Sequence, residues 1–297
     1  MIPRKAVIAV AGFGTRFLPA TKVVPKELLP IVNKPVVQYL VEEAVNSGIK
    51  DIILVTRAGT QAVGDHFDSS RELEIHLAEQ EKHDYADLVR EVAKMANIAV
   101  VRQGRHLPYG NGTPLLAASS FLDRGEPFVY MFGDDLVLSE TPCVGQLIEV
   151  YRRHSPAAVI AFQDMPMPEA TRYGLARLKA GTEPKELEFI VEKPPVEEAP
   201  STLAQLGRFV LPWRTIEILQ TQPVGKGNEL WLTDANHTLC REGRVLAHQI
   251  EGTWYTTGDP LRYLIANVEY ALRDREIGAE FAAYLRNLEI PARSVER

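Results

Sequence analysis

Cysteine is scarce in this chain of 297 residues, which contains only Cys143 and Cys240. Two cysteines cannot form the disulfide framework of a small secreted domain, and their spacing is not that of a zinc site. Long apolar runs are also missing, since none reaches the roughly 18 residues that a membrane-spanning helix requires. These absences predict a protein of the reducing cytoplasm that has no membrane partner.

An excess of positive charge is also missing. The 39 Asp and Glu outnumber the 33 Lys and Arg, so the formal net charge is −6, and we expect no nucleic-acid partner, because such binding depends on positive charge. Acidic residues are in turn absent from the first 26 positions, where the charged residues are Arg4, Lys5, Arg16, Lys22 and Lys26. Any anion that the protein binds is therefore expected to contact a local cluster of bases.

Strand and helix patterns alternate along the first half of the chain. Short apolar runs typical of buried strands occur at 5–11, 51–56, 98–102 and 128–132. Helical spacing of apolar residues occurs at 36–46, within 62–95 and after Pro114. This alternation predicts an α/β fold with a doubly wound, mostly parallel, Rossmann-like sheet that is flanked by helices.

The second half of the chain predicts additions to that core. A helix after Gln146 and a strand at 157–162 precede a looser region rich in Pro, Glu and Thr, with two short strands at 175–178 and 187–191. Helices are expected at 213–221, 230–242 and 260–287. We predict one domain over 1–297, with a core at 1–165, a smaller β-rich lobe within 166–260 and a helical region at 261–297.

The segment after the first predicted strand, Ala11-Gly12-Phe13-Gly14-Thr15-Arg16, is rich in glycine. A dinucleotide-binding fingerprint would need a third glycine where the chain has Phe17, and no Walker A lysine occurs in the sequence. Two glycines still allow backbone N–H groups to approach a phosphate, and Arg16 adds a planar multidentate donor. With Lys26 added, the loop predicts a polyphosphate site. Lys22 is interpreted in two ways, as a phosphate ligand or as a solvated cation.

The run at 12–30, GFGTRFLPATKVVPKELLP, resembles the bacterial UTP–glucose-1-phosphate uridylyltransferases, or UDP-glucose pyrophosphorylases, of the sugar nucleotidyltransferase family. Segments that match in order along nearly the whole chain include Lys34-Pro35, His66-Phe67-Asp68, Val101-Arg102-Gln103-Gly104, Val191-Glu192-Lys193-Pro194, Gly207-Arg208-Phe209-Val210-Leu211 and Leu232-Thr233-Asp234-Ala235. The Gly-x-Gly-Thr-Arg loop marks the broad family, whereas the extension to Lys-Glu and the His-Phe-Asp segment indicate the uridylyl subgroup. The implied substrates are UTP and glucose 1-phosphate, and the implied products are UDP-glucose and pyrophosphate.

The implied reaction is an in-line displacement at the α-phosphorus of the nucleotide. The attacking oxygen belongs to a phosphate monoester whose second pKa is about 6, so it is already anionic and no protein base is needed. Catalysis then consists of holding two polyanions together and stabilising the transferring group, with Mg²⁺ as the implied cofactor. The absence of a recognisable Ser/His/Asp constellation agrees with this chemistry.

The resemblance also implies roles for individual residues. Arg16 and Lys26 would be catalytic, and Asp134, which follows a buried strand, would bind the metal in preference to Asp135. Nucleotide contacts would come from Ala11, Gly12, Gly14, Thr15, Glu27, Gln103 and Gly110, with the Gln103 amide pairing with uracil. An insertion at 105–109 leaves open which glycine of 110–112 contacts the base. The core would thus bind the nucleotide, while Gly174, Glu192 and Lys193 of the 166–260 region would bind the sugar phosphate.

The resemblance breaks at the segment Trp254-Tyr255-Thr256-Thr257-Gly258-Asp259. The family pattern is Asp-x-Gly, in which the aspartate is a second metal ligand, and this chain has Thr256 in its place. Since a neutral hydroxyl is a poor Mg²⁺ ligand, we expect weaker metal binding. Two alternatives to the uridylyltransferase remain: a thymidylyltransferase, and a non-catalytic paralogue that binds nucleotide sugar. The family tendency and the long C-terminal helix imply a homo-oligomer, either a dimer or a tetramer.

Overall fold

The computed structural model of this protein describes residues 1–289. Its strands are β1 (Lys5–Val10), β2 (Pro30–Ile31), β3 (Lys34–Pro35), β4 (Asp51–Thr56), β5 (Asn97–Arg102), β6 (Phe128–Phe132), β7 (Asp135–Leu138), β8 (Ala158–Asp164), β9 (Gly174–Leu178), β10 (Leu187–Glu192), β11 (Leu203–Leu211), β12 (Val245–Gln249) and β13 (Thr253–Thr256). Its helices are α1 (Val36–Asn46), α2 (Ala62–Asp65), α3 (Arg71–Glu79), α4 (His83–Lys94), α5 (Thr113–Ala118), α6 (Cys143–His154), α7 (Arg214–Thr221), α8 (Leu232–Glu242), α9 (Pro260–Ala271) and α10 (Gly278–Arg286).

One large sheet organises this part of the chain. Strand β1 lies between β4 and β6 and is parallel to both, and β5 continues the parallel half beyond β4. Strand β11 pairs antiparallel with β6, and the sheet then continues to β9 and β10 and, through β8, to β12. The β-rich lobe predicted for 166–260 is therefore an extension of the same sheet, because β9 and β10 are hydrogen-bonded into it.

Apolar side chains on the two faces of the sheet form two separate cores. Successive residues of a strand point to opposite faces, so Val7 packs in one core and Ile8 in the other. Helices α1 and α6 cover the face of Ile8, whereas α5, α7 and α8 cover the face of Val7. The predicted sheet flanked by helices is thus confirmed. Among the described residues, no helix is long and apolar enough to cross a membrane.

Strand β11 was not predicted from the sequence, although it is buried along its whole length. It carries Arg208, whose guanidinium is fully buried and forms a bidentate ion pair with Glu43 of α1, at 2.9 Å for Nε–Oε1 and 2.7 Å for Nη2–Oε2. Glu43 Oε1 also accepts the Val144 N–H of α6 at 3.1 Å. This ion pair therefore joins β11, α1 and α6, with hydrogen bonds that offset the cost of burying two charges.

The predicted continuous helix at 260–287 is wrong, because α9 ends at Ala271 and α10 begins at Gly278. Between them, Asp274 Oδ1 accepts the backbone N–H groups of Glu276 and Ile277 at 2.9 and 3.1 Å. An Asp side chain that bonds to backbone N–H groups in this way competes with helical hydrogen bonding. The last part of the predicted C-terminal region, 290–297, lies outside the described residues.

We predict that Arg208→Met lowers the free energy of unfolding by about 3–5 kcal/mol, because it leaves the buried Glu43 carboxylate without its partner. Urea denaturation at neutral pH measures the effect. Arg214→Met is the matched control, since Arg214 contacts Glu242 in the same bidentate way but at the exposed surface, where such pairs contribute little. Equal losses in the two variants would contradict the structural role of the buried pair.

Candidate active site

A cleft opens at the edge of the sheet where the parallel strands β5, β4, β1 and β6 end, which is where open α/β sheets bind ligands. It has two connected halves. We call the part around the loop after β1 the β1 half; its lining includes Ala11, Gly12, Arg16, Lys26, Glu27, Gln103, Gly110 and Asp134. The part around the end of β10, the β10 half, includes Arg172, Gly174, Glu192, Thr256 and Asp259. Arg16, Asn111, Phe132, Asp134, Lys193 and Trp231 line both halves.

An ion pair between Lys26 and Asp134 lies at the junction of the two halves. Lys26 Nζ is 2.6 Å from Asp134 Oδ2, and the two side chains are 16% and 29% exposed. Burial acts to raise the pKa of Asp134, but the positive charge of Lys26, its hydrogen bond and the charge of Arg16 together outweigh burial and hold the pKa below its usual range. For Lys26, burial acts to lower the pKa, and the negative charge of Asp134 raises it above the ordinary value. Both groups are therefore charged at neutral pH.

The position of Asp134 follows from the close packing of two strands. It comes directly after Gly133, where a Cβ atom would lie 2.3 Å from the backbone oxygen of Ala9 in β1. The backbone oxygen of Asp134 accepts the Thr257 N–H at 2.6 Å. The neighbouring Asp135 is buried, and its Oδ2 accepts the Gly207 N–H at 2.8 Å. Asp134 is thus the more exposed carboxylate of this pair.

Arg16 approaches Asp134 from the loop after β1. Its Nη1 donates to the backbone oxygen of Gly258 at 3.1 Å. The loop turns at Gly14, which adopts the left-handed conformation with a φ of 63°, and Thr21 Oγ1 donates to the Gly14 oxygen at 2.7 Å. Left-handed backbone favours glycine, so this glycine shapes the loop that presents Arg16.

Glu27 lies beside Lys26 in the β1 half. The side chain is 1% exposed, and neither carboxylate oxygen has a hydrogen-bond partner among the described residues. Lys26 Nζ is 4.0 Å from Glu27 Oε1. Burial raises the pKa of Glu27 to about 7, although the charge of Lys26 opposes this. Burying a carboxyl without a hydrogen-bond partner costs free energy. Glu27 therefore offers hydrogen-bonding atoms to a polar group that enters this half of the cleft.

Gln103 and Gly110 reach the β1 half from the one loop that connects β5 to α5. Gln103 follows β5, and its backbone N–H donates to Thr56 O at the end of β4 at 2.8 Å. Gly110 has a φ of 144°, and a Cβ atom there would lie 2.4 Å from the backbone of Leu230. Leu230 in turn donates its N–H to Tyr109 O at 2.7 Å. The glycine at 110 is therefore already required by packing against the segment around Leu230.

Glu192, Lys193 and Gly174 come together in the β10 half. Thr233 Oγ1 donates to Glu192 Oε2 at 2.5 Å, and Lys193 Nζ lies 3.4 Å from Glu192 Oε1. Burial raises the pKa of Glu192. A Cβ atom on Gly174 would lie 3.4 Å from Glu192 Oε2 and 3.3 Å from Thr233 Oγ1. A small residue at 174 thus leaves space beside two oxygen atoms suited to binding hydroxyl groups.

The segment at 256–259 supplies no second free carboxylate. Thr256 Oγ1 accepts the Gly258 N–H at 3.3 Å. Asp259 Oδ2 is 3.0 Å from Arg172 and 2.9 Å from Arg262, and its Oδ1 caps α9 by accepting the Arg262 N–H. Within residues 1–289, no group of three or more His, Cys, Asp or Glu side chains is arranged to hold a metal ion. Asp259 is therefore engaged elsewhere and does not replace the aspartate missing at Thr256.

Most of the residues singled out from the sequence line this one cleft. Gly14 and Thr15 do not line either half and belong to the turn that presents Arg16, and Lys22 is an exposed residue outside the cleft. Sequence reasoning missed Arg172 and Trp231, whose surroundings are formed by distant segments. The position of Asn111 between two glycines indicated a turn that could have been singled out from the sequence. Only the structure shows that its Oδ1 accepts the Leu232 N–H at 2.8 Å.

Comparison with known proteins finds relatives that match nearly the whole chain. The family model of the nucleotidyl transferases matches residues 5–272. A UTP–glucose-1-phosphate uridylyltransferase of Staphylococcus epidermidis is 42% identical over 97% of this chain and 99% of its own length. The UTP-bound UGPase of Acinetobacter baumannii has a TM-score of 0.86 and 34% identity, and covers 97% of this chain and 100% of its own. A UDP-glucose pyrophosphorylase complexed with UDP-glucose has a TM-score of 0.81 and 33% identity, with 92% and 100% coverage.

We predict that Glu27→Gln stabilises the protein increasingly as the pH rises. An unfolded Glu27 loses its proton near its ordinary pKa of 4.5, whereas the folded protein keeps it up to about 7. The native state then binds more protons in this window, so the stability of the wild type falls from pH 4.5 to 7 and levels off above. The variant lacks this loss, which is on the order of 3 kcal/mol for such a shift.

Urea denaturation of both proteins at pH 4.5, 6 and 8 measures the difference. Glu197→Gln, which changes an exposed side chain in a surface turn, is the control for removing one negative charge. A difference between Glu27→Gln and the wild type that stays constant across these pH values would show that Glu27 does not hold its proton in the folded protein.

Proposed function

The chain belongs to the nucleotidyl transferase family, and we propose that it is a UTP–glucose-1-phosphate uridylyltransferase, which forms UDP-glucose and pyrophosphate. The observation that carries this function is the meeting of Arg16, Lys26 and Asp134 at the junction of two connected half-clefts. Joining two polyanionic substrates requires a binding place for each and positive charge between them. The chain's similarity to uridylyltransferases over nearly its whole length supports the same activity.

UTP occupies the β1 half in this proposal. Its uracil lies toward Gln103, whose amide can pair with O4 and N3–H, and toward the backbone at Gly110. Its phosphates lie at the loop of Ala11 and Gly12, where a Cβ atom on Gly12 would be 3.2 Å from Lys26 Cε. The absence of a side chain there leaves the backbone open to a phosphate. The buried Glu27, whose Oε1 would lie 3.9 Å from a Cβ atom on Gly12, lines the same half and contributes to nucleotide binding.

Glucose 1-phosphate occupies the β10 half. Glu192 accepts hydrogen bonds from sugar hydroxyls, Gly174 allows the ring to approach the backbone, and Lys193 binds the phosphate. Because Lys193 lines both halves, the phosphate that it holds faces the α-phosphorus of UTP. The attacking oxygen forms its bond to phosphorus as the bond to pyrophosphate breaks on the opposite side, and no proton leaves a protein group in this step.

Arg16 and Lys26 stabilise the transferring phosphoryl group and the departing pyrophosphate. The guanidinium of Arg16 presents several donors in a plane, whereas the Lys26 ammonium acts as a compact charge. Lys26 is held in the cleft by Asp134, so its charge is in place before the substrates bind. Such pre-organised charge lowers the barrier because little reorganisation is needed as the reaction proceeds.

The family generally uses a divalent metal, and we propose that this chain uses Mg²⁺. Asp134 fits this role because its carboxylate is ionised, lines both halves of the cleft and is 29% exposed. Mg²⁺ is commonly held by one or two carboxylates together with substrate phosphates and water. When bound, the ion would supply positive charge to the phosphate oxygens; Asp134 would hold it, and Thr256 would add no charge.

We further propose that the chain forms a homo-oligomer, a dimer or a tetramer, in the cytoplasm. Helix α9 supports this, since Leu261, Leu264 and Ile265 are 64%, 60% and 45% exposed on it. Exposed apolar surface of this kind is typical of subunit contacts. Light scattering of the purified protein measures the oligomeric state.

A pyrophosphate-release assay tests the activity. UTP and dTTP are each supplied with glucose 1-phosphate, with and without Mg²⁺. We expect Mg²⁺-dependent turnover that is faster with UTP. Preference for dTTP would instead establish a thymidylyltransferase. The base of dTTP differs from that of UTP by one methyl group, which a pocket discriminates only modestly. Absence of turnover with both nucleotides, together with binding of UDP-glucose, would establish a non-catalytic paralogue.

We predict that Lys26→Met lowers kcat by about 100-fold or more, since it removes a charge placed where negative charge develops. Lys22→Met is the matched control, because Lys22 belongs to the same loop but is exposed and lies outside the cleft. Steady-state kinetics with UTP and glucose 1-phosphate measure both variants. Similar losses in the two would mean that the loop acts through its overall charge and not through Lys26.

We predict that Thr256→Asp lowers the Mg²⁺ concentration for half-maximal activity by roughly three- to tenfold, because it adds an anionic oxygen ligand. Calorimetric titration of Mg²⁺ into the protein with bound UTP gives a second readout that does not require turnover. Thr253→Asp is the control, because it places the same substitution at an exposed position of β13 outside the cleft. Unchanged metal dependence in both measurements would contradict a metal site beside Thr256.

A further inference from the structure

Trp231 forms a wall that both halves of the cleft share. Its side chain is 8% exposed, and its indole N–H donates to the backbone oxygen of Lys226 at 2.8 Å. The preceding residue, Leu230, is hydrogen-bonded through its backbone to Tyr109 and Gly112, at 2.7 and 2.9 Å. The indole ring is therefore fixed in place by contacts on several sides.

The ammonium group of Lys193 lies 4.3 Å from the centroid of the Trp231 ring. A lysine over the face of a tryptophan is attracted by the negative charge of the π-system. Its contact with Glu192 is 3.4 Å long, and its side chain is 43% exposed. A lysine side chain in that environment has considerable rotamer freedom, so the ring restricts a group that would otherwise be mobile.

The backbone of Lys193 is held as well. Its φ is 43°, a left-handed conformation that is uncommon for a residue other than glycine. Its N–H donates to Tyr173 O at 3.1 Å, and its carbonyl oxygen accepts from Lys226 Nζ at 3.2 Å. Since Lys226 is also the acceptor of the Trp231 indole, Trp231, Lys226 and Lys193 form a closed cycle of contacts.

We propose that Trp231 is a positioning residue that, together with Lys226, holds the Lys193 ammonium ready for the phosphate of glucose 1-phosphate. This inference rests on the proposed function, in which Lys193 binds that phosphate. A side chain ordered before binding loses less entropy when its ligand arrives. The cycle therefore lowers the KM for the sugar phosphate much more than the KM for UTP, since it holds the residue that binds the sugar phosphate, even though Trp231 and Lys193 also line the β1 half.

Kinetics of Trp231→Leu test the proposal. We expect the KM for glucose 1-phosphate to rise roughly three- to tenfold, the range for loss of a cation–π contact, while the KM for UTP stays within about twofold. Trp231→Phe keeps an aromatic face and should show a smaller rise. Trp213→Leu is the matched control, because Arg124 lies 5.5 Å from that ring, outside the cleft; it should change neither KM.

Lys226→Met provides a second variant that does not disturb packing, since Lys226 is exposed. It removes the hydrogen bond to Lys193 O and should also raise the KM for glucose 1-phosphate selectively. An unchanged KM for glucose 1-phosphate in both Trp231→Leu and Lys226→Met would overturn the proposal. An equal rise in both substrates' KM values would overturn it too, because it would indicate a general structural effect.

Binding of UDP-glucose, measured by calorimetry, separates this proposal from the proposed function. If the wild type does not turn over UTP and glucose 1-phosphate but binds UDP-glucose, the proposed function fails. Weaker binding in Trp231→Leu then supports the positioning role, and equal binding overturns it. If the wild type neither turns over the substrates nor binds UDP-glucose, both proposals fail.

Discussion

The 2.6 Å contact between Lys26 and Asp134 is the interaction on which the geometry of the cleft depends. It joins the loop after β1 to the end of β6. The backbone oxygen of Asp134 also accepts a hydrogen bond from the N–H of Thr257, in the segment after β13. Three segments that are far apart in the chain therefore meet at one residue, Asp134, two through backbone or chain connection and one through its carboxylate. Because the pair is largely buried, its attraction is weakly screened, and it keeps a positive charge at the junction where two anionic substrates would meet.

The acidic groups around this pair differ in charge because their surroundings differ. Asp134 is held ionised by Lys26 against the effect of burial, whereas burial raises the pKa of Glu27 to about 7. Burial, together with the charge of Asp134, raises the pKa of Asp135 to about 6, although Arg208 opposes this. Of these three acidic groups, Asp134 alone is held firmly ionised, which suits a metal that takes its other ligands from substrate phosphates.

Local sequence predicted the parts of the fold that depend on local patterns. The apolar run of β1 and the helical spacing of α1 specify a buried strand and an amphipathic helix without reference to the rest of the chain. Strand β11 escaped prediction because it carries Arg208 in its centre, a residue that is rarely buried unless paired, and its partner Glu43 lies 165 positions away. The break after α9 was not predicted either, because apolar spacing continues on both sides of Asp274. The break depends on the hydrogen bonds that the Asp274 side chain accepts from backbone N–H groups.

The sequence by itself determined the chemistry of the site: the glycine-rich loop with Arg16 and Lys26, the carboxylate after a buried strand, and the threonine in place of an aspartate. These are properties of residue type and short spacing, which need no knowledge of distant neighbours. Only the tertiary structure decided which groups are free to act. Asp259 is engaged by two arginines, and Lys193 is held over Trp231. The contacts of Asp259 with Arg172 and of Lys193 with Trp231 arise from the tertiary fold, which brings together side chains that lie tens of residues apart in the chain.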